Sequence, residues 1–218
     1  MSERPAPSLP GSSSSETSPS GASSSADWGE ARRLAALRYY QILDTPPEER
    51  FDRITRLAGH LLDVPIALIT LLDEDRQWFK SSVGLEEDQP RETSREVAFC
   101  TYHLEQSGVL VVEDATQDPR FADNPLVTGE QPLVAGEQGI RFYAGAPLIT
   151  PGGHVLGAVC AIDTAPQTLS EVQTARLRDL ADMAVDELEL RLAHRQRDGV
   201  LESVSDAFFA IDRDWTFT

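Results

Sequence analysis

The sequence is short of basic residues, has almost no sulfur and contains no long apolar run. Against 36 Asp and Glu stand 19 Lys and Arg, a formal net charge of −17 over 218 residues. Binding to a nucleic-acid backbone needs clustered cations, so nucleic acid is excluded as the expected partner, and an anionic membrane surface with it. The longest apolar run, Val64 to Leu72, is nine residues, where a membrane-spanning helix needs roughly 20. The amino-terminus lacks the apolar core of a secretory signal. Two cysteines, Cys100 and Cys160, are too few for a disulfide framework or a four-thiolate metal site, as in a reducing cytoplasm. Nor is there a Ser-His-acid arrangement or a Gly-rich phosphate loop. His60, His103, His154 and His194 have no metal-ligand spacing. Catalysis within the chain therefore has no motif to rest on, and a cytoplasmic, non-membrane protein is expected.

Residues 1–27 are dominated by Ser, Pro and Gly. Too little apolar surface is present to offset the entropy of ordering them, so this segment is expected to be a disordered tail. From Trp28 the pattern changes. Leu34, Leu37, Tyr40 and Ile42 recur at helical spacing and predict a first helix ending at Asp44. Thr45-Pro46-Pro47-Glu48 reads as the capped start of a second helix, with Phe51, Ile54, Leu57, Ala58, Leu61 and Leu62 in its apolar stripe. Val64 to Leu72 reads as a strand covered on both faces, followed by an acidic turn and a second strand, Gln77 to Val83. Thr93 or Ser94 should cap a third helix running to about Gln106, and Val109 to Val112 make a short strand. Residues 115–139, with three prolines and three glycines, read as a long irregular connection. Arg141–Thr150 and His154–Asp163 form a hairpin around Pro151-Gly152-Gly153, and a capping box at Ser170 and Gln173 opens a last helix from Glu171 past His194. The expected fold is α+β, three layers α/β/α around a central antiparallel sheet of five to six strands.

The long connection contains a tandem duplication. Pro125 to Gln131 reads PLVTGEQ and Pro132 to Gln138 reads PLVAGEQ, identical at six of seven positions. Each copy carries a Pro and a Gly, which cost about 3 and about 1 kcal/mol inside a helix. The extra copy is thus expected to lengthen a loop on the pocket side.

Several segments together, RLAALRYYQILDTPPEERFDRITRLA, VPIALITLLDEDRQWFKSSVGL, FC, DPRFADNPLVTGE, RFYAGAPL and LGAVCAID, resemble the GAF domains at the N-terminus of bacterial sensor histidine kinases and diguanylate cyclases. The resemblance covers roughly residues 30–190. It implies a GAF-type fold and a sensory role, without naming a ligand or cofactor. Residues 28–195 are assigned to this domain. Residues 196–218 are assigned to a linker helix and, from GVLESVSDAFFAIDRDWTFT, to the truncated opening of a segment that resembles a PAS domain. The chain is accordingly expected to be the input part of a longer signalling protein, a two-component sensor histidine kinase.

Candidate pocket residues are Phe99, Cys100, His103, Arg141, Tyr143 and Asp163. Cys100 and His103, three apart on one helix, share a face. In some GAF photoreceptors a cysteine followed at once by histidine holds a bilin. Here Thr101 follows, and a buried thiol packed as a small hydrophobe is the simpler expectation. A GAF-type methionine sulfoxide reductase would need a nucleophilic thiolate and a second thiol within reach, and neither cysteine has a basic sequence neighbour. Arg141 is expected to pair with a loop carboxylate such as Asp118 or Asp123, or else with an anionic ligand. Leu177, Ala181, Ala184 and Leu188 follow the seam spacing of a coiled coil, and a second stripe, Leu180, Met183 and Val185, is expected to pack on the sheet. Parallel homodimerisation through the first and last helices is expected from the seam. The alternatives to a ligand-responsive module are the thiol reductase and a ligand-free dimerisation unit.

Overall fold

A computed structural model describes residues 25–86, 91–104, 106, 108–133 and 139–205. The elements in chain order are α1 (Ser25–Tyr40), α2 (Glu49–Leu62), β1 (Ile66–Leu72), β2 (Arg76–Val83), β3 (Glu92–Ser94), two 3-10 turns (Arg95–Val97 and Phe99–Leu104), β4 (Leu110–Val112), a single helical turn α3 (Pro125–Thr128), β5 (Phe142–Ile149), β6 (Val155–Asp163) and α4 (Glu171–Ser205). The six strands form one antiparallel sheet in the order β3-β2-β1-β6-β5-β4. The α+β fold expected from the sequence is the one observed. The tail (1–24) and the PAS-like strands (206–218) lie outside the described residues.

The central strands β1 and β6 are buried along nearly their whole length, because each face of the sheet carries a separate core. On one face α1, α2 and α4 lie over Ala67, Ile69, Phe142, Ala144 and Val159. On the other, the 3-10 segment and residues 115–133 and 140 of the connection lie over Leu68, Tyr143, Ala158, Cys160 and Ile162. Alternation along the strands assigns each residue to a face.

Four expectations are corrected. The first helix stops at Tyr40, because Gln41 and Asp44 take left-handed backbone conformations and turn the chain toward α2. Thr45 does not cap α2. Its hydroxyl donates to the Ile42 carbonyl (2.6 Å) and accepts from Lys80 Nζ (2.9 Å), and the helix begins after Glu48. The expected third helix is two short 3-10 turns. Ser94 caps the first, and Ala98 is extended between them. The short strand β3 had no sequence signal beyond Thr93. The capping box is as expected: Ser170 Oγ accepts from Gln173 N and Gln173 Oε1 from Ser170 N.

A bulge in β2 builds an ionic hub. Pairing with β1 slips between Ile69–Ser81 and Thr70–Phe79, leaving Lys80 as the extra residue. A bulge re-aims side chains, and Lys80 and Ser81 both reach the α2 side. Lys80 is wholly buried and donates to Thr45 Oγ1, Pro46 O (2.8 Å) and Glu48 Oε1 (2.7 Å), with its ammonium 5.2 Å from the Phe51 ring centroid. Burial pushes its pKa down, against the contrary pull of Glu48. The same carboxylate accepts from Arg191 of α4 (3.0 Å) and pairs with Arg50. One Glu thus ties the sheet, the α1–α2 turn and α4 together.

The seam positions of α4 are not free for a partner. Leu177, Ala181, Ala184 and Leu188 are almost completely buried in the chain's own helix-side core. The regular apolar spacing reflects a helix lying along a sheet. Replacing Leu188 with Glu would therefore destabilise the domain itself, by the cost of burying an unpaired carboxylate. Met183 and Leu190 are the exposed apolar residues on the middle of this helix.

Candidate functional site

The non-helical face of the sheet gathers most of the chain's unusual chemistry. In the second 3-10 turn, side chains three apart are eclipsed, so Cys100 and His103 both face the sheet and are buried. Thr101 fixes the turn by donating to the Ala98 carbonyl (2.8 Å). Phe99 stacks on Phe121, with centroids 4.1 Å apart and planes 3° apart, and tilts against Tyr143 at 4.9 Å. Tyr143 and Cys160, on adjacent strands, meet with hydroxyl and sulfur 3.4 Å apart. The Thr70 hydroxyl lies 3.8 Å from Cys160 Sγ and also reaches Cys100. Phe99, Cys100, His103 and Tyr143 are thus buried on one face of the sheet, and of the six candidates Phe99 and Tyr143 line a small cavity there.

Arg141 and Asp163 behave differently. The Arg141 guanidinium pairs with neither Asp118 nor Asp123. One nitrogen donates to the carbonyls of Val127 (3.0 Å), Gly139 (2.9 Å) and Ile140 (3.1 Å). Asp118 pairs with Arg120 instead. Asp163 sits opposite Phe142 in the ladder, which gives it the register of the helix-side face, and it accepts from Ala165 N and Gln167 Nε2. Its role is to shape the exit of β6.

A small cavity of about 20 Å³ lies beside the Phe99–Tyr143 pair. Sheet residues Leu68, Phe79 and Ile162 form its floor, and Leu126, Leu133 and Ile140 of the long connection form its roof. Among the described residues, Gln77 and Thr93 are its only polar side chains besides Tyr143, and they bond to each other at 3.3 Å. The space admits about one water molecule. Gln77 and Thr93 were not foreseen, since a polar residue in a strand more often marks its solvent face.

The thiols are electrostatically quiet. Burial raises the Cys160 thiol to about 11, and raises Cys100 further. A reductase nucleophile needs the opposite, a thiolate favoured by a cationic neighbour. Among the described residues no group of three His, Cys, Asp or Glu is arranged to hold a metal ion.

His103 is the unsatisfied member of the cluster. It is 1% exposed, and neither ring nitrogen has a hydrogen-bond partner among the described residues. Gly145 makes room for it, for a Cβ there would overlap the Tyr143 hydroxyl and lie 2.6 Å from His103 Nε2. Burial lowers its pKa from 6.5 to about 4. The unfolded chain therefore binds a proton between pH 6.5 and 4 that the folded chain refuses, and stability falls as pH drops through that interval. His103→Met should flatten this dependence, which is worth on the order of 2–3 kcal/mol by pH 4. Near pH 8 the variant should be at least as stable as the native chain, because an unsatisfied buried polar group is removed. Melting temperature against pH for both proteins is the check.

A family model for the GAF domain matches residues 46–188. The chain belongs to the GAF domain family. A cyclic di-GMP phosphodiesterase of Pseudomonas aeruginosa is 42% identical over 157 residues, which is 72% of this chain but 25% of that protein. The chain therefore spans about a quarter of the curated relative it matches. Among solved structures, the GAF domain of an Acinetobacter phosphoenolpyruvate-protein phosphotransferase superposes with a TM-score of 0.53 at 19% identity, covering 77% of this chain and 95% of that one. The blue-light absorbing form of the Thermosynechococcus elongatus PixJ GAF domain gives 0.53 at 13%, covering 80% and 98%. At such identities the likeness is one of fold. GAF domains are modules of signalling proteins, and this one has no helix among the described residues long and apolar enough to cross a membrane.

Proposed function

We propose that the chain is the cytoplasmic sensory input module of a larger signalling protein. A small molecule would act at the cavity beside Phe99 and Tyr143, and α4 would carry the response to an output domain. The observation that carries this reading is the relative of 42% identity, in which the matched region is one quarter of a cyclic di-GMP phosphodiesterase. That relative favours an output acting on cyclic di-GMP over the histidine kinase suggested by the sequence motifs, although a GAF domain suits either. Glu48 supports a route between sheet and helix, since it bonds Lys80 of β2 and Arg191 of α4. Homodimerisation remains part of the proposal. It would use α1 and the part of α4 beyond Leu188, where Leu190 is exposed.

The test uses the full-length gene product. Cyclic di-GMP hydrolysis and ATP-dependent autophosphorylation are measured with residues 28–195 present and deleted. Deletion is expected to change the rate of one activity severalfold, and an unchanged rate would refute a regulatory role. Sedimentation of the same product tests the dimer, for which a monomer at micromolar concentration is the contrary result.

A further inference from the structure

We propose that the outer surface of α2 and α4 is a self-complementary docking face for a second copy of this chain, with the two-fold axis running along the helices. The inference rests on the homodimer reading above for the second copy, and names a further face for it, built on α2. The two helices are antiparallel neighbours. At one end Arg50 of α2 pairs with Glu187 of α4 (3.5 Å), and Arg191 of α4 bonds Glu48 (3.0 Å). At the other, Gln167, just ahead of α4, donates to Asp63 O (3.2 Å), just past the end of α2.

Two features of this surface point to a copy of itself. The first is apolar: Leu57 and Leu61 on α2, and Met183 and Leu190 on α4, are exposed. Leu57 and Leu61 follow Arg50 at helical spacing, and Met183 and Leu190 flank Glu187 in the same way, so all four border the groove that the Arg50–Glu187 pair spans. The second feature is a segregation of charge. The outer side of α2 presents Arg53, Arg56 and His60, whereas α4 from Asp179 to Glu189 carries five carboxylates and no cation. Arg176 and Arg178 lie nearer the start of α4, outside that row. The side chains of Arg53, Asp179, Asp182 and Asp186 are exposed and make no hydrogen bond or salt bridge among the described residues.

Charge then selects the symmetry. A two-fold axis across the helices would lay α2 on α2 and α4 on α4, like charge on like, which is repulsive. An axis along the helices lays each α2 on the other copy's α4, so a basic row meets an acidic row twice, as an isologous contact allows. Counting along both helices from the Arg50–Glu187 pair, Arg53 and Arg56 come level with positions 184 and 181, between Asp186 and Asp179. A pure rotation preserves height, so the rows match without any sliding of one copy on the other. The same axis keeps the two α4 helices parallel. Their ends beyond Leu188 then leave the interface side by side, as a parallel homodimer requires.

Sedimentation equilibrium of the whole 218-residue chain is compared with that of Arg53→Glu, Asp186→Arg and the variant carrying both. The native chain is expected to dimerise at micromolar concentration. Each single reversal should weaken the dimer by about tenfold or more. The combined variant restores opposite signs across both halves of the interface and should return to within about threefold of native, the signature of direct coupling. Net charge alone predicts otherwise: each chain carries −17, so Asp186→Arg would relieve repulsion between copies and tighten the dimer. Should either reversal fail to fold, Arg53→Gln and Asp186→Asn carry the same test with smaller losses. A native dimer that ignores both reversals, is tightened by Asp186→Arg, or is not recovered in the combined variant would overturn this face and leave the homodimer reading standing. A native monomer would overturn both.

Discussion

Replacing Glu48 with Ala is expected to lower stability by about 3–5 kcal/mol, the usual cost of removing one partner from a buried ion pair. Lys80 would be left wholly buried, with only the Thr45 hydroxyl and the Pro46 carbonyl as partners. Its pKa is already lowered by burial, with Glu48 opposing that fall. In the variant the unfolded chain would therefore hold a proton on Lys80 more firmly than the folded one. The stability deficit should then shrink as pH rises above neutrality. Lys80→Met is the instructive contrast. It removes the buried charge, fills similar volume, and leaves Glu48 paired with Arg191 and Arg50. Its cost should stay within about 1 kcal/mol, since apolar replacement of buried charge is often neutral or better. Urea denaturation of both variants at neutral and alkaline pH provides the measurement. Equal losses would show that the ion pair contributes net stability, against the asymmetry argued here.

Hydrophobic periodicity made most of the architecture legible. The α2 stripe and the nearly continuous run through β1 each report the layer that covers them: Phe51, Ile54, Ala58 and Leu62 are buried where expected, while Leu57 and Leu61, expected in the same stripe, lie on its exposed edge. The signal fails where polar groups decide the geometry. Thr45 looks like a helix cap, but its hydroxyl is claimed by Lys80, a contact 35 positions away. Lys80 itself, in a strand reading QWFKSSV, looks like a solvent-facing residue. Its parity with Trp78 puts it on the covered helix side, and the bulge opposite Ile69 and Thr70 brings Ser81 to that side too. The heptad spacing of α4 was present but ambiguous, because a helix on a sheet and a helix in a coiled coil bury similar stripes. The contacts of Leu177 and Leu188 with the sheet-side core resolve it.

The candidate site was legible in its apolar and aromatic members and illegible in its charged ones. Phe99, Cys100, His103 and Tyr143 are placed by periodicity on the same face of the sheet. Arg141 lies on that side too, yet its partners are main-chain carbonyls, which leave no mark in a sequence. Asp163 ends a strand whose final side chain has the register of the opposite face. Parity along β6 carries that information, since Cys160 and Ile162 alternate with it.

Phe99→Ala should be the most damaging change among the six candidates. A buried Phe truncated to Ala costs about 3–5 kcal/mol. The ring is 3% exposed and makes both the stacked contact with Phe121 and the tilted one with Tyr143, geometries worth about 0.5–1.5 kcal/mol each beyond area. Asp163→Ala, by contrast, loses two hydrogen bonds at a strand end and should cost about 1 kcal/mol. The two variants separate a wall of the cavity from a neighbour of it. Phe99→Ala adds its ring volume to a space of about 20 Å³ bounded by the same side chain, so added benzene should recover part of its lost melting temperature by binding only the folded state. Asp163→Ala should show no such recovery. Recovery in both would mean that the rescue is unrelated to the cavity. Recovery in neither would mean that the roof collapses onto the missing ring, and that Leu126 and Ile140 move more freely than the hydrogen bond from Ile140 N to Leu126 O (2.7 Å) implies.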